Sequence, residues 1–264
     1  MLKDSEARVV WKEAWKDYYL LRLESEKIAR EAQPGQFLMV RVNDQPYPLL
    51  RRPFSVHARE GDGLEIFFVR AGVGTAILAA KTPGESLDIL GPLGHGFTVG
   101  QEKTGKTAYL VGGGRGIAPF FFLAQELRAR NVQPRVFYGG RTLADLPLLP
   151  KFKAAGFEVL CSTDDGSHGV KCLASELVRD ELEQARPDHI YACGPEAMMK
   201  AVAALAAAHE IPAEFSLESI MGCGIGACWG CVKRIRRGDK AEWVKTCEEG
   251  PVFTGAEIVW EGKD

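Results

Sequence analysis

Two rhythms of apolar and polar residues divide this chain. Up to about residue 100, short stretches alternate every second residue, as in Ala7-Arg-Val-Val-Trp-Lys12, Tyr18-Tyr-Leu-Leu-Arg-Leu23, Gln36-Phe-Leu-Met-Val-Arg-Val42 and Leu64-Glu-Ile-Phe-Phe-Val-Arg70. Gly and Pro clusters interrupt them at Pro34-Gly35, Gly61-Asp-Gly63, Pro83-Gly84 and Gly91-Pro92. A period of two bounded by turn residues predicts short strands, and their even spacing predicts a small antiparallel barrel. From about residue 105, apolar runs alternate with amphipathic helical segments. The predicted strands are Ala108-Tyr-Leu-Val111, Arg135-Val-Phe-Tyr138, Glu158-Val-Leu-Cys161, His189-Ile-Tyr-Ala192 and Glu214-Phe-Ser-Leu217, and the predicted helices are 119–130, 174–184 and 196–209. That alternation implies a doubly wound parallel sheet with helices on both faces. The fold class expected is therefore a β-barrel domain over 1–102, an α/β domain over 103–214, and a small C-terminal region over 215–264 that is too short to build much core of its own.

Composition narrows the chemistry. The 264 residues carry a net charge of −2 and are 46% apolar, which gives no reason to invoke nucleic acid. No run of sequence has the length and hydropathy of a membrane span, and Met1-Leu-Lys-Asp-Ser-Glu lacks the apolar core of a secretory signal. Seven cysteines, four of them clustered, fit a reducing cytoplasm better than a disulfide framework. The five histidines show no ligand spacing.

The clustered cysteines are Cys223, Cys228, Cys231 and Cys247, spaced C-x4-C-x2-C-x15-C. The first three lie in a loop with four glycines, which can wrap closely around an inorganic core. This is the spacing of plant-type [2Fe–2S] sites. The alternative is structural zinc, which favours two C-x2-C knuckles where this chain has one. Between Cys231 and Cys247, Lys233-Arg-Ile-Arg-Arg237 followed by Gly238-Asp239 predicts a hairpin with a solvated basic turn.

Three further motifs bear on nucleotides. Arg52-Pro-Phe-Ser55, expected to close a strand, offers a guanidinium for phosphate and a hydroxyl for a ring nitrogen. Gly72-Val-Gly-Thr75 precedes a predicted helix, a setting for anion binding or simply a Thr-capped loop. Val111-Gly-Gly-Gly-Arg-Gly-Ile-Ala-Pro119 is a Gly-rich strand-to-helix turn of the kind that holds a pyrophosphate, or a tight turn with no ligand. The loops 138–142, 162–166 and 192–195 each follow a predicted strand and so share the ligand-binding edge of the sheet. Asp164 and Asp165 put negative charge there, favouring NAD(H) over NADP(H). Cys193 reads equally as a nicotinamide neighbour or a small buried residue.

In this order, the motifs resemble the ferredoxin–NADP reductase superfamily. The cysteine cluster and the tail Cys247-Glu-Glu-Gly-Pro-Val-Phe253 narrow the resemblance to the electron-transfer subunits of B-type, NAD-dependent dihydroorotate dehydrogenases. The resemblance implies FAD held at Arg52, Pro53, Phe54, Ser55, Phe68, Val69, Arg70, Gly72, Gly74 and Thr75. It implies NAD(H) at Gly113, Gly114, Gly116, Asp164, Cys193 and Gly194, and a [2Fe–2S] cluster on Cys223, Cys228, Cys231 and Cys247. The partner it implies is an FMN-containing dihydroorotate dehydrogenase subunit in a heterotetramer, with electrons passing from FMN through the cluster and FAD to NAD. Arg115 stands where many relatives carry a small or apolar residue. Small subunits of NADH-dependent ferredoxin:NADP oxidoreductases, hydrogenases and sulfide reductases share the same pattern. A zinc-stabilised nucleotide-binding module is the reading from another class.

Overall fold

A computed structural model describes residues 1–99 and 105–260. The alternating N-terminal stretches form six strands: β1 (Leu2–Trp15), β2 (Tyr18–Glu24), β3 (Phe37–Arg41), β4 (Arg52–Glu60), β5 (Gly63–Val69) and β6 (Ser86–Leu93). They close into an antiparallel barrel of order β1-β2-β5-β4-β3-β6. Val9, Leu23, Val40, Val56, Ile66 and Ile89, one from each strand, are fully buried. The 14-residue β1 pairs with both β2 and β6, and register shifts at 4–7 and 9–11 let it bend round the barrel. Two short helices, α1 (Glu26–Glu31) and α2 (Val73–Ala80), lie between strands.

The second rhythm gives β7 (Thr107–Gly113), β8 (Gln133–Gly140), β9 (Glu158–Thr163), β10 (His189–Cys193) and β11 (Ala213–Ser216), with helices α3 (Phe120–Ala129), α4 (Leu149–Ala154), α5 (Ala174–Leu182) and α6 (Glu196–Ala208) between them. The sheet order is β11-β10-β7-β8-β9, all parallel. Tyr109 and Val111 of β7 pack with Leu177 and Val178 of α5 and with Met199 and Val202 of α6. Side chains alternate across a strand, so the equally buried Ala108 and Leu110 face the other side. There α3 packs on β7 and β8. Helices therefore cover both faces, as the alternation implies.

The last fifty residues add a hairpin, β12 (Val232–Arg237) and β13 (Lys240–Lys245), then α7 (Thr246–Glu249) and β14 (Val252–Thr254). The hairpin falls where the basic run predicts it. β14 pairs antiparallel with β11 and extends the sheet by one strand. The chain divides into two compact units. One is Met1–Phe97 with Ser219–Lys233 and Lys245–Pro251, and the other is the described part of Thr98–Glu218, Arg234–Val244 and Val252–Asp264. The C-terminal region is thus shared out: its cysteine loop belongs with the barrel, while Ile235, Val244, Phe253 and Ile258 complete the core beside α5 and α6. A segment this small gains more by burying apolar side chains in existing cores than by packing alone. No helix among the described residues is long and apolar enough to cross a membrane.

Candidate functional site

On the barrel, the two motifs expected to hold a flavin meet. Arg52 opens β4 and does not close a strand as its sequence setting suggested, because pairing with β3 begins there, with Val40 opposite Arg52 and Phe37 opposite Ser55. Its guanidinium bonds the Leu50 carbonyl and lies against Gly74 in the first turn of α2, where an added Cβ would run into it. The N–H groups of that turn have no intrahelical acceptor, so with Arg52 they offer concentrated positive charge to an anion. The Thr75 hydroxyl accepts the Ala71 and Gly72 N–H groups at 2.8 and 3.0 Å and shapes the loop. Phe54 packs on Phe68 with centroids 5.4 Å apart, and Phe68 stacks on Tyr19. Arg70 is held by Asp17 at 2.8 Å, which raises its pKa. These features fit FAD.

In the other unit, the sheet order reverses direction at β7, since the chain runs from β7 to β8 and β9 on one side and returns to β10 and β11 on the other. Such switch points are where doubly wound sheets bind nucleotides. The Gly-rich turn leaves β7 as a single 3-10 turn, Gly114–Ile117, with Pro119 capping α3. Gly116 lies against the Cys193 carbonyl and Gly113 against Pro195 and Met198, so this turn and the Cys193-Gly-Pro195 loop are packed together. Gly114 has φ +53 and open space where a Cβ would stand. A backbone bare of side chains at the switch point fits a dinucleotide pyrophosphate. Cys193 is buried; desolvation, with Glu218 adding to it, pushes its thiol up to about 12, so it stays neutral. Arg115 extends to within 3.8 Å of Glu218. Asp164 is exposed, and its N–H is tied to the Gly140 carbonyl at 3.1 Å. The Asp165 N–H binds the Arg141 carbonyl at 3.2 Å, while its carboxylate accepts the Ser167 hydroxyl and N–H, which keeps its pKa low. The backbone of the acidic pair is thus tied to Gly140 and Arg141, while the exposed Arg141 guanidinium lies 3.7 Å from Asp145.

The four clustered cysteines fall into two pairs. Cys231 and Cys247 share one buried cluster, Cys223 and Cys228 influence each other electrostatically, and Cys247 also feels Cys223. Cys228 is exposed and Cys223 half-buried, whereas Cys231 and Cys247 are 2% and 4% exposed. Gly224 and Gly226 take φ of +73 and +81, and Trp229 takes +55, which curls the loop round the thiols. Burial disfavours the Cys223 thiolate, but the Ile225 N–H, the Cys228 thiol and the Cys228 and Ala227 N–H groups outweigh it and bring Cys223 down to about 7. The Gly226 N–H donates to Cys247 Sγ at 3.2 Å. Desolvation, then Cys231, push the Cys247 thiol up to about 12. Lys245 clasps the loop: its ammonium donates to the Gly226 carbonyl at 2.9 Å, lies 5.0 Å from the Trp229 ring centre and pairs with Glu248.

Two thiol pairs side by side suit two metals, each taking one pair, as in a [2Fe–2S] cluster. A single tetrahedral zinc needs three or four donors converging on one point.

Residues 218–259 match the iron–sulfur cluster binding domain of dihydroorotate dehydrogenase B, and residues 110–204 match the oxidoreductase NAD-binding domain. The chain is 38% identical over 260 residues to the electron transfer subunit of dihydroorotate dehydrogenase B (NAD(+)) from Desulforamulus reducens, with 98% of each chain covered. It is 40% identical over 243 residues to the corresponding subunit from Bacillus caldolyticus, covering 91% of this chain and 92% of that one. Among solved structures, a chain of an NADH-dependent reduced ferredoxin–NADP oxidoreductase superposes with a TM-score of 0.82 at 28% identity, covering 97% of this chain and 91% of that one. A ferredoxin NADP+ reductase from Neisseria gonorrhoeae, solved with FAD and NADP, shares the fold with a TM-score of 0.61 at 21% identity over 75% of this chain and 88% of that one.

Proposed function

The chain belongs to the family of electron-transfer subunits of NAD-dependent dihydroorotate dehydrogenase B, and on that premise we propose that it relays electrons from a catalytic partner subunit to NAD in pyrimidine biosynthesis. FAD and a [2Fe–2S] cluster, when bound, supply the electron chemistry, with one-electron steps at the cluster and hydride exchange with NAD at the flavin. The chain's own residues supply position and environment. Arg52 and the first turn of α2 hold the FAD pyrophosphate, and Ser55 faces the isoalloxazine ring. Gly113, Gly114 and Gly116 admit the NAD pyrophosphate to the backbone, with Gly194 beside them, and Asp164 selects the ribose hydroxyls over a 2′-phosphate. Cys223, Cys228, Cys231 and Cys247 ligate the cluster.

The observation that carries this reading is the glycine-rich loop that donates the Ile225 N–H to Cys223 and the Gly226 N–H to Cys247 while Cys231 and Cys247 pack on Phe37 and Met39 of the barrel, in the same compact unit as Arg52 and α2. The partner is proposed to be an FMN-containing dihydroorotate dehydrogenase subunit in a heterotetramer, docked over the exposed Cys228 and its loop. Ile220, Ile225 and Trp229 flank Cys223 and Cys228 in sequence and are all exposed, as expected of surface reserved for a partner. A reducing cytoplasm suits thiolate ligands. A relay in an NADH-dependent ferredoxin:NADP oxidoreductase is the second reading, favoured by the superposition at TM-score 0.82.

Anaerobic purification tests the cofactor set. About one FAD, two irons and two labile sulfides per chain are expected, with the flavin bleached by NADH. Zinc in place of iron, without sulfide, would remove the relay.

A further inference from the structure

Strand β3 has two neighbours that the sequence keeps apart. Phe37 and Met39 pack in one buried apolar cluster with Leu93, Cys231 and Cys247, with Leu90 and Met221 at its edge. The same two residues stand opposite Ser55 and Pro53 of β4 in the barrel. Directly opposed residues on antiparallel strands project from the same face, so the face of β3 that covers the inner cysteine pair continues into the flavin motif. Met39 is fully buried. The loop comes down onto it at Gly224, whose φ of +73 permits the approach and where a Cβ would stand 2.6 Å from Met39 Sδ. Three further bonds hold the inner pair against this wall. The Thr246 N–H binds the Cys231 carbonyl at 3.0 Å, the His95 N–H binds the Gly250 carbonyl at 2.6 Å, and the Ser219 and Thr246 hydroxyls meet at 3.2 Å.

We propose that Met39 is a positioning residue that seals Cys231 and Cys247 from water on the side facing the flavin and so sets the reduction potential of the metal centre they hold. This rests on the cluster assignment above. The potential of a thiolate-bound cluster depends on hydrogen bonds to its sulfurs and on solvent exposure. Dry apolar cover disfavours the extra negative charge of reduction, and water donating to the Cys231 and Cys247 sulfurs favours it. A flexible, unbranched thioether fills the irregular space under a glycine-rich loop better than a branched side chain.

The test uses the anaerobically purified full chain with its cofactors bound. Met39→Ala is expected to keep iron and sulfide but to move the cluster potential upward, alter the EPR signal of the reduced protein and bleach several-fold faster in air. Met39→Leu, close in volume, is expected to restore all three towards wild type. If Met39→Ala does not fold, Met39→Gln, which keeps the length and brings an amide to the sulfurs, carries the same expectation of an upward shift. An unchanged potential and EPR signal in the folded variant, with only thermal stability reduced, would show that Met39 is packing alone. Wild-type protein without iron and sulfide would instead overturn the cluster assignment itself, so the two failures are distinguishable.

Discussion

Cys228 is the most exposed of the four clustered thiols, so its replacement disturbs little besides ligation. Cys228→Ser is expected to lose iron and labile sulfide while retaining FAD, giving yellow protein in place of brown; unchanged iron content would remove it from the ligand set. Arg52→Ala takes a charged donor from the phosphate cradle, which corresponds to about 1.5–3 kcal/mol, or roughly 10–100-fold in Kd. Flavin retention through gel filtration reads this directly, and full retention would place the pyrophosphate elsewhere. Asp164→Ser is expected to raise the NADPH-to-NADH ratio of flavin bleaching rates by about tenfold, the equivalent of about 1.4 kcal/mol. An unaltered ratio in stopped flow would mean that Asp164 does not face the ribose. At this scale much of the site was legible, because the cysteine spacing and the Arg52 and Gly72 motifs are local patterns. Phe37 and Met39 were not legible as its neighbours, since nothing in an alternating strand says what will pack on it from nearly two hundred residues away. Nor was the turning back of the Thr75 hydroxyl into its own loop, which the same motif would permit in either form.

Among the elements, glycines at the strand-to-helix turn separate close packing from conformational need. Gly116→Ala would put a methyl group onto the Cys193 carbonyl. It is expected to cost about 1–3 kcal/mol, seen as a lower melting temperature together with slower bleaching by NADH. Gly114→Ala meets open space but sits at φ +53, so about 1–2 kcal/mol of backbone strain is expected without disruption of the Cys193 loop. Equal effects on NADH bleaching would show that the turn acts only through its fold. The long strands, the three main helices and the basic hairpin follow from periodicity. β6 did not, because Gly91-Pro92 reads as a break while pairing with β1 and β3 carries the strand through it. β14, three residues long, exists only because β11 offers it an edge. β4 starts where its sequence suggested an ending, since cross-strand pairing and not local propensity sets its first residue.

For the whole molecule, the division of the C-terminal region between two units was the least legible feature. The sequence shows one contiguous segment, but its loop is drawn to the barrel by Phe37 and Met39 while its hairpin is drawn to the core of the parallel sheet. Among the described residues, the Arg52–α2 motif is the one proposed flavin cradle and the Gly113–Gly116 turn the one proposed nucleotide site. No pocket with a poised base for dihydroorotate was evident in the sequence, and oxidation of that substrate needs such a base and a flavin of its own. The central claim is therefore a relay that depends on a second polypeptide. It is tested most directly by mixing the cofactor-loaded chain with an FMN-containing dihydroorotate dehydrogenase subunit from the same source and following NADH formation by its absorbance, a signal of the nicotinamide itself. The mixture is expected to reduce NAD in a dihydroorotate-dependent manner, and each component alone is not. Dihydroorotate turnover by this chain by itself, or a mixture that leaves NAD oxidised while both components hold their cofactors, would contradict the account.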